Sequence, residues 1–398
     1  MSQITLDVEL PRMAPAILCQ KRLDVSVRTR SSRLPWRGQF SPELVEYFLQ
    51  FLDGETKNIY DPFCGSGTVL YESLSAGHRA FGLEINPAAW HLSVLSRYSK
   101  LEDSERELIK SVISSFSIEA LDFSENIEDL NIRELISNQN NSFSKLAVAA
   151  VFLLAMGNGK KYSTASLTRA TQVVFKIFAE IDSAEACADC FLGDARKSPL
   201  SDSSIDFVLT SPPYINVFNY HQNYRPAIEY LGWNPLKVAP AEIGANRKNR
   251  SNRFLTVIQY CLDIQKSLAD IARVLKPGGQ LIMVLGKTSN VLGTSFENGQ
   301  IIKRLLADLG CFEINAQESR SFMNRFGEDI REDVFLATRS NKKISDNNAA
   351  LDIALDLLKK GLSVVPQKNK YLLDEAIEKS CLVRPSPEAV LDIPLHFS

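Results

Sequence analysis

No apolar run in the 398-residue chain approaches the ~20 residues that cross a bilayer. The opening stretch, MSQITLDVELPRMAP, has early acids and no apolar h-region, so neither a membrane span nor a signal peptide is expected. A cytosolic protein is the default expectation. Histidine is scarce, at four residues, and the seven cysteines are scattered and odd in number. That pattern points to reduced thiols rather than a disulfide frame. Cys187-Ala-Asp-Cys190 is a lone CxxC without a second cysteine pair, and it reads as two thiols flanking a strand rather than a metal site. Internal repeats and low-complexity tracts are absent too. The formal net charge is only −2, so nothing global advertises a polyanionic partner.

The basic residues are nonetheless uneven. Lys21, Arg22, Arg28, Arg30, Arg33 and Arg37 face one acid, Asp24, between positions 21 and 37. Arg247, Lys248, Arg250 and Arg253 crowd a second segment, GANRKNRSNRF. Such runs are ordinarily solvated loops, and contact with phosphate is the alternative.

From residue 57 short apolar runs alternate with helical patterns, as a parallel α/β sheet requires. KNIYDPF reads as a first strand, GTVLYESLSAG as its helix, HRAFGLEI as a second strand. NPAAWHLSVLSRYSK follows as a helix with Asn86 as N-cap and Pro87 in the first turn. Further on, CFLGD, IDFVLTS and QLIMVLG read as strands, with a helix over roughly 254–275 and a turn at Lys276-Pro277-Gly278-Gly279. Residues 299–309 look helical, and FEINAQES with REDVFLATR look like a closing antiparallel pair. Residues 101–186 carry helical periodicity where such a unit needs only a short connection. The expected organisation is a basic arm (1–35), a first α/β part (36–100), an inserted helical subdomain (101–186), a second α/β part (187–340) and a helical tail (341–398).

Two motifs sit at strand ends. In Asp61-Pro-Phe-Cys-Gly-Ser-Gly-Thr68, Gly65 and Gly67 allow a tight turn and close approach of a ligand. The helix that starts there aims unpaired N–H groups at the same space. The spacing matches neither G-x-G-x-x-G nor a triphosphate loop with its lysine. Glu84 ends the second strand, where an acid can accept from both hydroxyls of a ribose, and Asp194 closes a third. An exposed strand-end acid and a helix N-cap are their plain alternatives. Together the three acids point to an adenosine whose other end is not a phosphate. The second motif is Thr210-Ser211-Pro212-Pro213-Tyr214, whose tandem prolines stop a sheet ladder and stiffen the backbone.

With these residues in order, the chain resembles the DNA amino-methyltransferases, which methylate exocyclic amines using S-adenosylmethionine. DPFCGSGT resembles their cofactor loop, TSPPY their catalytic motif in the variant typical of N4-cytosine enzymes, and WRGQFSPELVEYFLQF their preceding helix. The resemblance covers about residues 36–98 and 187–339. It implies a Rossmann-like class I methyltransferase fold, α/β, with a mostly parallel seven-stranded sheet and an antiparallel strand. It further implies that Asp61, Pro62, Phe63, Cys64, Gly65, Ser66, Gly67 and Thr68 hold the methionine portion, with Phe40 and Ser41 nearby. Glu84 would take the ribose hydroxyls, Asp194 would accept from the adenine amino group, and Ile85 would pack on the ring with Ala195 nearby.

Ser211, Pro212, Pro213 and Tyr214 would form the target pocket. There the serine hydroxyl and a proline carbonyl accept the amine's hydrogens, and the tyrosine ring stacks on the base. Double-stranded DNA is the implied partner, a restriction endonuclease or specificity subunit a further one, and no membrane or metal is involved. Tyr220, His221, Asn223 and Tyr224 are candidates to line the base or its gap. Arg30, Arg33, Arg247, Lys248, Arg250 and Arg253 are candidate phosphate contacts. The sixteen residues between Asp194 and Ser211 are too few for the large recognition domain many family members carry, and none of that size follows residue 340. Recognition is expected to fall to the 101–186 helices, the 215–253 loop, the tail or a partner. Adenine N6, an RNA base, protein glutamine and a catalytically silent DNA-binding subunit are the competing assignments.

Overall fold

The computed structural model describes residues 18–52, 54–122, 132–159, 161–215, 219–245, 249–324, 327–345 and 349–397, with only the backbone at 119–122. Residues 1–17 of the basic arm, together with Arg247 and Lys248, lie outside the described residues. Among the described residues nine strands occur in chain order: β1 (Asn58–Asp61), β2 (Arg79–Glu84), β3 (Ala188–Leu192), β4 (Ile205–Thr210), β5 (Leu275–Gly286), β6 (Thr288–Val291), β7 (Thr294–Glu297), β8 (Phe312–Met323) and β9 (Asp329–Arg339). Seven of them form one sheet in the order β3-β2-β1-β4-β5-β9-β8. Every pairing from β3 to β5 is parallel, and only β9 runs against the rest. This is the Rossmann-like class I methyltransferase fold expected from the motifs.

The order of elements follows local chemistry. Ser41 caps the helix Pro42–Leu49 by accepting from Leu44 N, and Asn86 caps Pro87–Ser93 by accepting from Ala88 N at 2.9 Å. In both, a proline at the first turn costs no hydrogen bond, because that N–H has no helical partner anyway. The Lys276–Gly279 stretch is not a turn that precedes a strand. Strand β5 runs through it, and the register against β4 slips between Ile205↔Leu275 and Phe207↔Gln280. The extra residues bulge out of a continuous strand, which glycine permits. The hairpin β6–β7 was not legible, since its polar TSNV and TSFE segments lack an apolar face of ordinary length.

Helices Asp103–Asp122, Ile132–Ser137, Ser142–Met156 and Thr164–Ile181 fill the insertion. Their inward residues, Val148, Leu153 and Phe178 among them, share one core with Leu44 and Phe48 of the preceding helix and with Phe207 and Ile282 of the sheet. On the opposite face Ile258, Ile302, Phe335 and Leu358 belong to a second core, which the tail helix Ala350–Gly361 joins. Among the described residues no helix is long and apolar enough to cross a membrane.

Beyond its helices the tail continues as an extended strap. Ser386 Oγ donates to Asp263 Oδ2 at 2.6 Å and Ser386 N to Oδ1 at 2.8 Å. Arg196 Nη1 reaches the same carboxylate at 2.9 Å, and Arg196 Nη2 donates to Pro387 O at 2.7 Å. Asp263 has no exposed side-chain surface, so its charge depends on these donors. Removing one leaves a buried acceptor short of a partner. Ser386→Ala should therefore lower stability by about 1–3 kcal/mol, read as a lower urea midpoint; an unchanged midpoint would show that the strap is not held there.

Candidate active site

The parallel strands β1, β2, β3 and β4 all end at one edge of the sheet, and a cavity opens there. It is lined by Asp61, Pro62, Phe63, Cys64, Gly65 and Thr68 from the glycine loop, by Glu84 and Ile85 after β2, and by Asp194 and Ala195 after β3. Of the other expected residues, Ser211 and Pro213 after β4 and Phe40 from the preceding segment also line the cavity, while Ser41 does not. It holds about 900 Å3 of space between atoms, its open mouth included, which suits a small-molecule or cofactor site. Ser66 and Gly67 stand behind this lining. Ser66 Oγ bonds Gln39 Oε1 at 2.8 Å, and Gly67 caps the following helix at φ +91°. A Cβ at Gly65 (φ +56°) would meet Trp36 Cδ1 at 3.2 Å.

Two carboxylates are fixed by the backbone around them. Glu84 Oε2 accepts from Gly65 N and Oε1 from Asn86 N, both at 2.7 Å. One lone pair on each oxygen remains for a ligand. Asp61 Oδ1 accepts from Thr210 Oγ1 at 2.6 Å and Phe63 N at 3.1 Å, and its Oδ2 has no partner among the described residues. Burial pushes both acids up to about 7, against the pull of those donors. Asp194 is more heavily engaged. Arg196 grips it through Nε at 2.9 Å and Nη2 at 2.5 Å, and through its backbone N at 3.0 Å. Its acceptor capacity for an adenine is correspondingly smaller than the sequence led us to expect.

Sequence reasoning missed part of this wall. Trp36, Gln39, Glu242 and Ile243 also line the cavity. Glu242, 5% exposed, bonds His221 Nδ1 through Oε2 at 2.8 Å, while its Oε1 is buried without a partner among the described residues. No motif marks it, because it lies in the irregular stretch well after Ser-Pro-Pro-Tyr.

Ser211 faces two cavities. The second, about 1110 Å3 to its open mouth, is lined by Arg28, Arg30, Arg33 and Arg320, by Phe40, Ser41 and Val284, and by Phe322 and Glu332. Pro212 is buried behind Ser211. Tyr214 lines neither cavity. Its ring lies on Gly286, where a Cβ would come within 2.9 Å of Cε2, and its hydroxyl approaches Ser211 Oγ at 3.5 Å and Glu332 Oε1 at 3.4 Å. Gly244 (φ +75°) packs against the same shelf, since a Cβ there would lie 2.5 Å from the Tyr214 carbonyl oxygen.

The remaining candidates divide. Tyr220 lines the first cavity. His221, Asn223 and Tyr224 are buried away from both. Tyr224 stacks on Trp36 at 6.1 Å and donates to Pro35 O, so its role there is packing. Arg30 is tied to Glu46 and Glu72, and Arg33 to Glu72 and Glu180. These ion pairs anchor both arginines to the body of the protein while both still line the second cavity, so neither is the free side chain that the sequence suggests. Arg250 and Arg253 are exposed beside the helix Phe254–Val274 and line neither cavity.

No protein-family model matches the chain. Among curated proteins it is similar to the Type II methyltransferase M.MjaII of Methanocaldococcus jannaschii, 33% identical over 95 residues, 24% of this chain and 17% of that one. It is also similar to M.BsoBI of Geobacillus stearothermophilus, 28% identical over 106 residues, 26% of this chain and 20% of that protein. M.MvaI of Kocuria varians, likewise a Type II methyltransferase, is 40% identical over 55 residues, 13% and 12% of the two chains. The matched stretch thus spans a fifth or less of each relative. Among solved structures, a Methanosarcina mazei protein described as a SAM-dependent methyltransferase aligns at TM-score 0.34 and 15% identity, over 72% of this chain and 94% of its own. Geranyl diphosphate C-methyltransferase from Streptomyces coelicolor aligns at TM-score 0.32 and 9% identity, over 74% and 78%.

Proposed function

We propose that the protein is a site-specific methyltransferase that transfers a methyl group from S-adenosylmethionine to the N4 amine of a cytosine extruded from double-stranded DNA, by direct in-line displacement. One observation carries this: the glycine loop and the Ser-Pro-Pro shelf open onto a single cavity. The similarity to Type II methyltransferases supports the same chemistry.

The residues fit the donor. Asp61 Oδ2 and Glu242 Oε1 are carboxylate oxygens without hydrogen-bond partners among the described residues, and in the cavity lining four acids, Asp61, Glu84, Asp194 and Glu242, face one basic residue, Arg37. Buried acids of this kind favour a positively charged guest. Asp61 would hold the methionine ammonium, Glu84 the ribose hydroxyls, and Ile85 with Ala195 the adenine. When bound, S-adenosylmethionine supplies an electrophilic methyl on a sulfonium centre.

The chain's own part is to prepare the amine. Its lone pair is delocalised into the ring, and acceptors aimed at its two hydrogens localise that pair as positive charge develops. Ser211 Oγ and the Pro212 carbonyl are those acceptors, and they act more strongly in the transition state than in the ground state. Two prolines fix the carbonyl beforehand, so little ordering remains at reaction. The surplus proton leaves to solvent. Extruding the base costs a few kcal/mol, which the arginine-lined second cavity would help offset by holding phosphate or base.

Incubation with DNA and the donor, then digestion to nucleosides and mass spectrometry, should yield N4-methylcytosine. N6-methyladenine alone would move the target to adenine, and unmodified DNA would overturn the proposal. Long-read sequencing of DNA from expressing cells would give the modified motif and, from its genomic context, whether a restriction endonuclease is paired with it. Ser211→Ala should lower kcat about 10²–10³-fold with donor Kd nearly unchanged. Loss of donor binding instead would mean that the serine belongs to the donor site.

The raised carboxyls give a pH signature. Binding the methionine ammonium requires Asp61 ionised, so donor affinity should rise about fivefold from pH 6 to 7.5, above which the α-ammonium itself begins to deprotonate. The sign for stability is opposite. The folded, ligand-free protein keeps protons that the unfolded chain has released, so stability falls as pH climbs from the ordinary carboxylate range through about 7. Asp61→Asn should flatten the binding dependence and reduce the stability slope to the share that Glu84 carries, as measured by calorimetry and thermal melts; unchanged slopes would assign them to other groups.

A further inference from the structure

Arg320 is the one arginine of the second cavity that is almost wholly enclosed. It is 5% exposed, and its Nε has no partner among the described residues. Its nearest carboxylate is loose, with Nη1 3.5 Å from Glu332 Oε2, and its guanidinium lies 4.6 Å above the Phe322 ring. Burial lowers its pKa, with Glu332 opposing, and the group remains a cation at any ordinary pH. A buried guanidinium with an idle N–H is costly unless something fills the gap.

The sheet register explains its placement. Gly286 of β5 pairs with Glu332 of β9, which pairs with Arg320 of β8. Tyr214 lies on Gly286 at one end of that row. From Ser211 the contacts run to Tyr214 at 3.5 Å, to Glu332 at 3.4 Å and to Arg320 at 3.5 Å. Each is at the long limit of a hydrogen bond, so the chain has slack to tighten around a guest. Ser211 and Arg320 line one cavity from opposite ends of this chain.

We propose that Arg320 reads the ring edge of the base whose amine Ser211 holds, donating from its fork to the adjacent N3 and O2 acceptors of cytosine. Glu332 and Tyr214 hold the fork in position. This rests on the proposed function and adds the source of base choice. Cytosine presents amine, acceptor and acceptor in a row along that edge, and a guanidinium presents two parallel donors to match the last two. Adenine presents the amine, N1 and then a C–H, so one donor would stay buried and unpaired. A site built for a hydrogen bond discriminates strongly against the analogue that lacks it.

The test compares duplexes carrying cytosine or 3-deazacytosine at the target, the latter having C–H in place of N3. For the unaltered enzyme the replacement should lower kcat/KM about ten- to hundred-fold. For Arg320→Met, already slow on cytosine by a similar factor, the replacement should cost less than about threefold, which is the coupling of a double-mutant cycle. Arg320→Lys keeps the charge without the fork and should fall between them, and it carries the cycle if the methionine variant does not fold. Donor Kd should be unchanged in both. An equal deaza penalty in enzyme and variants overturns the role of Arg320 while leaving the function intact. Absence of N4-methylcytosine from the unaltered enzyme's products overturns the function, and this inference with it.

Discussion

A single hydrogen bond, from Thr210 Oγ1 to Asp61 Oδ1 at 2.6 Å, ties together the ends of two neighbouring parallel strands, and the site is organised around it. β1 and β4 are adjacent in the sheet although about 150 residues apart in the chain, with Tyr60 opposite Val208. The strand order reverses there, because β2 and β3 lie to one side of β1 and β4 and β5 to the other. Connections leave that point in opposite directions and open a crevice beyond the carboxyl ends. The glycine loop enters it from β1 and the Ser-Pro-Pro shelf from β4. Had β1 paired with any other strand, the two motifs would not share a cavity.

The crevice keeps its acids at a cost. Asp61 and Glu84 are carried out of water far enough to raise both pKa values to about 7. Backbone N–H groups at Phe63, Gly65 and Asn86 partly offset this, and they also fix where each carboxylate points. Acids buried in this way favour a positively charged guest, and stability given up by the protein alone would become affinity for such a guest.

Much of this could be read from the chain alone. Short β-branched and aromatic runs separated by helical periods gave the strands of the parallel half, and the paired motifs at strand ends located Asp61, Glu84, Asp194 and Ser211. What escaped was whatever depends on contacts between distant segments. Glu242 has no local signal, since its position follows from Gly244 packing on the Tyr214 carbonyl. Arg320 looks like any charged strand residue until β8 pairs with β9 and the segment around Asp24 covers it, through Ser321 N to Asp24 Oδ1 at 2.7 Å. For Arg30 and Arg33 the hidden part was their anchoring, since the carboxylate partners Glu72 and Glu180 lie far off in sequence. The Lys276–Gly279 stretch carried the strongest turn residues in the chain, and pairing to β4 at Leu275 before it and Gln280 after it kept it within a strand.

The helices of residues 101–186 have no core of their own, for Val148 and Phe178 interleave with Phe48, Phe207 and Ile282. A segment built that way is not a cassette. It cannot be lifted out, swapped for another protein's or acquired by fusion without opening the sheet face it covers. Exchanging it would bare buried side chains such as Phe207 and Ile282 to water, so side-chain substitution within one continuous interior is the cheaper way to reshape this region.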